Sequence, residues 1–349
     1  MQGRILPHRE SQVPMAETPY SSDRLATVFG GSGFVGRHIV RALAREGWRV
    51  RAANRRPDLA GFLRPQGTVG QIEPVQANLR YPESVAAAID GADVVVNAAG
   101  VKSQHGPQSY EAVHVSGAGE IARAARAAGV RTLVQISGIG ADSASANPYI
   151  ASKGRGEEAA RAEFPDAIML RPSVVFGPED EFLNRFAALA RFMPMLPLFG
   201  GGETRLQPVF AGDVALAAAR ALDGAAEAGQ TYELGGPEIM TLRKAVQLVL
   251  RIVERRRGLI GLPFGVSGAI AGATEIASTL TLGVFPKALT TTRDQVELLR
   301  ENNIVSENAI AKGRTFAGLG IDPQGIEAIA PAYLVRFRKT GQYASSRTA

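Results

Sequence analysis

The narrowest limit on the fold comes from the glycine-rich stretch VFGGSGFVG, Val28 to Gly36. It follows a short apolar run, Leu25 to Gly30 (LATVFG), and opens a helical stretch from Phe34 to Arg45. Two spacings fit: Gly31–Gly33–Gly36 as G-x-G-x-x-G, and Gly30–Gly33–Gly36 as the wider G-x-x-G-x-x-G. Glycines placed this way let the chain turn sharply out of a strand. They also let backbone N–H groups approach a pyrophosphate at the N-terminus of the following helix. The strand–turn–helix context is what separates such a motif from a chance glycine turn.

From Leu25 onward, strand-like and helix-like patterns alternate, the signature of parallel βαβ units. Strands are expected at Leu25–Gly30, Trp48–Ala53, Ile72–Ala77, Asp93–Ala98, Arg131–Ser137 and Ala167–Arg171. Helices are expected from Glu83 to Ile89, through Ala118–Ala128 with Gly129 closing it, and from near Tyr149. The fold class is therefore α/β, a Rossmann-type doubly wound parallel sheet with a smaller, mostly helical C-terminal lobe. The divisions expected are a flexible arm over residues 1–24, a nucleotide-binding domain over 25–172, a C-terminal lobe over 173–343 with some segments returning to the sheet, and a tail over 344–349. In the lobe, helices are expected at Ala211–Leu222 and Leu242–Arg257.

The end of the second strand bears on which dinucleotide binds. An NAD site normally places Asp or Glu about 20 residues beyond the glycines, to hold the ribose 2′-hydroxyl. Asn54, Arg55 and Arg56 stand there instead, and the nearest acid is Asp58 beyond Pro57. A guanidinium there pairs with a 2′-phosphate through charge-assisted hydrogen bonds, so NADP(H) is favoured over NAD(H), although solvated surface arginines would look the same.

Tyr149 and Lys153 (YIASK) lie four apart at a helix start and share a face, and Ser137 ends the preceding strand. In that arrangement the ammonium lowers the tyrosine pKa, the phenol exchanges a proton with a carbonyl or alcohol oxygen, and the serine holds that oxygen. By itself the spacing also suits an ordinary amphipathic helix.

Composition removes other chemistries. The 349 residues contain no cysteine, which excludes disulfides, thiolate nucleophiles, Cys-ligated zinc and iron–sulfur clusters. His8, His38 and His105 show no metal-ligand spacing and read as surface residues, and no metal is expected. The net charge of +6 is diffuse. Arg255–Arg257 and the tail cations Arg336, Arg338, Lys339 and Arg347 form local clusters without an aromatic-rich sheet, which argues against nucleic acid. Those clusters suit an acidic partner surface or anionic lipid headgroups. Residues 258–274 carry no charge but include five glycines and Pro263, too short and too broken for a spanning helix. That segment reads as buried in the lobe or docked on a partner or membrane. The first residues have no apolar signal region, and Met15 is as good a start as Met1.

GGSGFVG, NAAG (Asn97–Gly100), Ser137, Tyr149 and Lys153 fall in the order found in the short-chain dehydrogenase/reductase superfamily, which the chain resembles in its extended and atypical branches. The likeness narrows at RPSVVFGPEDEFLNRF (Arg171–Phe186), QPVFAGDVA (Gln207–Ala215), YELGGP (Tyr232–Pro237), TRDQVELL (Thr292–Leu299) and PAYLVRFRKTGQ (Pro331–Gln342). Over nearly its whole length the chain resembles the NADPH-binding accessory subunits of respiratory complex I and their bacterial homologues. The resemblance implies that Gly30, Gly31, Gly33, Phe34, Val35 and Gly36 cradle the pyrophosphate and that Arg55 meets the 2′-phosphate. It further implies that Asn78 and Leu79 border the adenine and that Ala98, Ala99 and Gly100 line the adenosine side. Tyr149 and Lys153 would reach the nicotinamide ribose, and Pro172 with Ser173 the nicotinamide. Two positions depart from the superfamily pattern: Asn78 replaces a common aspartate, and His114 replaces an asparagine that organises a proton relay. His114 reads as a polar helix residue near the cofactor.

The resemblance implies a nucleotide held as a structural element, partners in complex I near the membrane and quinone region, and a peripheral position on the cytoplasmic face of the inner membrane. The retained Ser137, Tyr149 and Lys153 keep open a free-standing NADP-dependent oxidoreductase or epimerase. A regulator that senses the NADP(H) pool is a third reading.

Overall fold

The computed structural model describes residues 24–104, 106–268 and 293–339, with the single positions 272 and 341. Residues 1–23 of the arm, the tail, His8, His105, Thr292 and most of residues 269–274 lie outside the described residues.

The first six strands are β1 (Leu25–Phe29), β2 (Arg49–Asn54), β3 (Ile72–Gln76), β4 (Val94–Asn97), β5 (Thr132–Ile136) and β6 (Ile168–Pro172). They form a parallel sheet in the spatial order β6-β5-β4-β1-β2-β3, with the Thr231–Leu234 strand added parallel to β6 at the far edge. All five residues of β1 and all four of β4 are buried. Helices cover both faces of such a sheet, so its central strands need continuous apolar runs rather than alternation. The covering helices are α1 (Phe34–Arg45), α2 (Pro82–Ile89), α3 (Gly117–Ala127), α4 (Pro148–Glu163) and, from the second half of the chain, α6 (Ala211–Leu222). One buried cluster joins Val28, Ile39, Leu43 and Trp48 to Val214, Ala218 and Leu222. A second, on the opposite face, joins Phe29, Val95 and Leu133 to Ile121, Ala122 and Ala160. The doubly wound architecture is therefore present, with strand ends within two residues of those expected.

The smaller lobe is built on α5 (Leu183–Phe192), α7 (Leu242–Ile252) and the Ile326–Leu334 helix, around Phe176, Leu183, Val249, Ala330 and Leu334. Here α7 stops at Ile252 rather than Arg257. Glu254 takes a left-handed φ of 54° and donates its N–H to the Arg251 carbonyl, which ends the helix and releases Arg255–Arg257. Those arginines lead into the Gly258–Leu262 strand, which pairs in parallel with Met195–Phe199. The described part of the uncharged segment, Gly258 to Gly268, is thus not buried in the lobe as one reading held; its residues are mostly exposed or half-buried.

Two buried carboxylates hold the lobe, one within it and one from α6. Asp180 accepts from Tyr333 Oη at 2.9 Å and from the N–H groups of Gly177 and Asn184, both at 3.0 Å. Asp213 accepts from the Gln324 N–H at 2.7 Å.

Candidate nucleotide site

The residues singled out in the sequence gather at one edge of the sheet. Gly30 follows β1, Arg55 follows β2, Asn78 lies two residues past β3, Ala98–Gly100 follow β4, Ser137 follows β5, and Pro172 ends β6 beside Ser173. All are at carboxyl ends of parallel strands, where ligands of open α/β sheets bind.

The glycine turn is tight enough to require its glycines. Gly30 has φ 73°, and a Cβ built on it would lie 2.8 Å from the Ala98 carbonyl oxygen. A Cβ on Gly36 would overlap the Gly30 carbonyl oxygen, and one on Gly31 would meet Ala52 at 3.0 Å. Gly33 donates its N–H to the Gly30 carbonyl at 2.9 Å. Helix α1 starts with no side-chain cap and no acidic residue in its first turn. Its first N–H groups therefore have no partner within the helix, the arrangement that suits a pyrophosphate.

At the end of β2 the three polar residues separate by role. Asn54 is buried: its Oδ1 accepts the Ser32 N–H at 2.8 Å and its Nδ2 donates to the Ala52 carbonyl at 2.7 Å. It braces the glycine turn from below. Arg56 is engaged with Asp58 through two hydrogen bonds of 3.0 and 2.8 Å. Arg55 is exposed and makes no ion pair among the described residues, so its guanidinium is available at this edge. Arg37, which the sequence reading did not single out, lies across the turn, donating to the carbonyls of Gly33 at 3.2 Å and Ser32 at 3.0 Å. Only its place after the last glycine could have signalled it.

Asn147 places Tyr149. Its Oδ1 caps α4 by accepting the N–H groups of Tyr149 (3.0 Å) and Ile150 (3.3 Å), and Pro148 pre-sets the first helical turn. Lys153 Nζ lies 6.0 Å from the Tyr149 ring centroid, and a Cβ on Gly100 would be 3.5 Å from that nitrogen. Burial drives the Lys153 pKa down to about 8 against an opposing pull from Glu157. Burial also pushes the Tyr149 phenol upward, whereas the sequence reading had the lysine lowering it. Ser137 Oγ is buried with no hydrogen-bond partner among the described residues. A buried hydroxyl left unpaired is costly, and its presence at a strand terminus is what a site for an oxygen or amide ligand requires.

His114 is 3% exposed and sits in a π-helical turn, Glu111–Ser116. Its Nε2 accepts the Val101 N–H at 3.0 Å, so the proton is on Nδ1, which donates to Ser152 Oγ at 2.8 Å. The Ser152 hydroxyl donates in turn to the Tyr149 carbonyl at 2.7 Å. Burial, then the nearby Lys153 charge, holds His114 down to about 3, so it is neutral. His38 is not a surface residue: it packs edge-on between Phe34 and Phe210, 5.9 and 6.0 Å between centroids, and contacts Glu179 Oε2 at 3.3 Å.

The C-terminal part of the chain reaches over the Ser173 and Tyr149 end of the site, which the sequence did not show. Ser173 Oγ lies 2.6 Å from Asn303 Oδ1 and 2.8 Å from its carbonyl oxygen. Asn147 Nδ2 donates to the Asp294 carbonyl at 3.4 Å, and Tyr110 Oη lies 3.3 Å from the Asp294 carboxylate. Above Tyr149 this leaves a cavity of about 160 Å³ lined by Lys102, Tyr110, Asp294 and Leu298. Among the described residues no group of three or more His, Asp or Glu side chains could hold a metal, and no helix is long and apolar enough to cross a membrane.

With this geometry in place, comparison with known proteins defines the class. The sequence model of the NAD dependent epimerase/dehydratase family matches residues 26–235. An Escherichia coli NADPH-dependent quinone oxidoreductase, QOR2, solved with NADPH, shares the fold at a TM-score of 0.67 and 18% identity, over 88% of this chain and 99% of that one. The chain belongs to the NAD dependent epimerase/dehydratase family, an extended short-chain dehydrogenase/reductase group with an NAD(P)-binding Rossmann fold. Within it, the chain is homologous to the Arabidopsis thaliana mitochondrial NADH dehydrogenase [ubiquinone] 1 alpha subcomplex subunit 9, 31% identical over 91% of this chain and 79% of that protein. The Neurospora crassa mitochondrial NADH-ubiquinone oxidoreductase 40 kDa subunit is 30% identical, over 91% of this chain and 80% of its own length.

Proposed function

We propose that this chain is an accessory subunit of respiratory complex I that holds NADP(H) as a structural element without turning it over, bound peripherally on the cytoplasmic face of the inner membrane, close to the quinone region. The observation that carries the proposal is the contact of Asn303 with Ser173. A segment of the C-terminal lobe roofs the Ser173 end of the site, where the nicotinamide would lie, and leaves a cavity of about 160 Å³ above Tyr149. The likeness to two complex I subunits, over 91% of this chain and so lobe included, supports the partner.

When bound, the nucleotide would supply hydride-transfer capacity, and the residues fit it. The uncapped first turn of α1 suits the pyrophosphate, and Arg55 offers a cation for a 2′-phosphate where an NAD site offers a carboxylate. Asn78 and Leu79 would border the adenine, with Tyr149, Lys153, Pro172 and Ser173 at the nicotinamide half. A second reading, an NADP-dependent reductase, is favoured by the unpaired Ser137 Oγ and the low pKa of Lys153. There Tyr149 would donate the proton and Ser137 would hold the substrate oxygen.

Affinity purification from solubilised membranes, with identification of the partners and of the bound nucleotide, tests the first reading. Co-purification with complex I and a stoichiometric nucleotide that survives oxidised and reduced substrates unchanged is the expected result. NADPH oxidation by the pure chain that disappears in Tyr149→Phe, with no complex I recovered, would establish the reductase instead.

A further inference from the structure

A patch on the C-terminal lobe breaks the usual rule for a half-buried sheet. In the two-stranded sheet, Met195, Pro197 and Phe199 pair with Gly258, Ile260 and Leu262. Cross-strand partners point to the same side, and Leu196 and Leu198, on the other side, are fully buried. The face turned away from the core should then be polar. All six of its positions are instead apolar or glycine, and Met195 and Ile260 are 48% and 43% exposed. Phe192, at the end of α5 where the chain enters this sheet, is 80% exposed.

Arginines cluster at one end of the patch, where both parallel strands begin. Arg191 adjoins Phe192, its guanidinium 5.4 Å from the ring centroid, and Arg255, Arg256 and Arg257 lead into the Gly258–Leu262 strand. Arg255 and Arg257 each donate Nε to a backbone carbonyl, of Phe337 and Ala190 respectively, both anchored on the lobe. Among the described residues none of the four makes a salt bridge. The tail cations differ: Arg338 pairs with Glu254 at 3.1 Å and Arg336 donates to Asn184, so they leave the cluster.

We propose that this face, centred on Phe192 and Ile260 and flanked at one end by Arg191 and Arg255–Arg257, docks on an anionic lipid surface. The inference rests on the peripheral placement proposed above and assigns it to particular side chains. Four guanidinium groups without a salt bridge among the described residues favour an anionic partner, and protruding Phe, Met and Ile side chains beside them favour an apolar layer just beneath. The headgroup–acyl boundary of an acidic bilayer supplies both at the right depth. An acidic protein surface would satisfy the arginines but leave Phe192 against charge.

Flotation of the full chain with phosphatidylcholine vesicles, with and without phosphatidylglycerol, tests the idea. Binding is expected only to the phosphatidylglycerol vesicles and should weaken as salt is raised. Arg256→Ala should lower partitioning about fivefold, and Phe192→Ser about tenfold. Neither side chain packs into the core, and unchanged thermal unfolding and nucleotide retention check that both variants fold. Equal binding to neutral vesicles, no binding at all, or variants that bind like the parent would each overturn the proposal. If the parent binds no vesicle but the variants lose complex I in pull-downs, the face belongs to an acidic protein. Vesicle binding by a chain that never recovers complex I would refute the accessory-subunit reading and leave this one standing.

Discussion

Replacing Lys153 by methionine should stabilise the nucleotide-stripped chain near neutral pH, because the structure places an ammonium where burial opposes it. The folded-state pKa of Lys153 is about 8 against an ordinary value of 10.5, with burial as the main cause and Glu157 pulling the other way. At about 1.36 kcal/mol per pH unit, that gap corresponds to ~3 kcal/mol of opposition to the charged form. Lys153 is half-buried and keeps some contact with water, so roughly 1–2 kcal/mol is the gain to expect from Lys153→Met. The folded pKa lies below the unfolded one, so the unfolded chain binds the extra proton between the two values. Stability of the parent therefore rises with pH from about 8 to 10.5, and below 8 the full penalty is present.

Urea denaturation of parent and variant at pH 7, 9 and 10.5 reads this difference directly. The variant should unfold at higher urea at pH 7, and its advantage should shrink to nothing by pH 10.5. With saturating NADPH the order should reverse, since the ammonium then has anionic and hydroxyl partners to meet. A variant less stable at pH 7, or an advantage that does not change with pH, would refute the electrostatic account and leave only packing of the lysine stem.

Gly36→Ala should abolish nucleotide retention and lower stability, since the new Cβ would overlap the Gly30 carbonyl and the backbone there cannot yield; NADPH fluorescence on the purified chain measures the first effect. Arg55→Ala should weaken NADPH binding by roughly tenfold or more while leaving NADH nearly unchanged, a selectivity that isothermal titration with both nucleotides would show. Glu157→Gln removes the carboxylate that meets Arg171 in two bonds of 2.8 Å, and should cost ~3 kcal/mol in urea unfolding because it strands a guanidinium. Asn303→Ala should cost about 1 kcal/mol and, by loosening the roof over Ser173, speed NADPH dissociation in stopped-flow displacement.

Local signals in the chain were legible and long-range ones were not. The glycine turn, β1 to β6 and the Tyr149/Lys153 pair are each specified within about a dozen residues, by periodicity and by turn chemistry. Thr231–Leu234 becomes a sheet strand only by pairing with β6 some sixty residues earlier, and nothing in its own composition marks that partner. The same holds for Asn303 and Asp294, ordinary polar residues whose role comes from reaching back to Ser173, Asn147 and Tyr110. His38 was misjudged because a histidine on α1 looks solvent-facing until Phe210, from another part of the chain, covers it. The end of α7 was missed because Glu254 adopts a backbone conformation that glycine usually supplies.

The roof formed by Asn303 and Asp294 gives a bound nucleotide a use that does not depend on chemistry. A ligand that touches both the sheet edge and a segment of the second lobe stabilises the closed arrangement by RT ln(1 + [L]/Kd), about 2.7 kcal/mol at a hundredfold excess over Kd. Ser173 sits at the junction: its N–H donates to the Leu234 carbonyl on the added strand and its hydroxyl meets Asn303. The Leu206–Asn303 bridge carries that contact on into the lobe that bears the arginine-flanked face. On the proposed reading, loss of the nucleotide would loosen the very surface through which the chain docks, so tight retention rather than turnover is what its position in an assembly would demand.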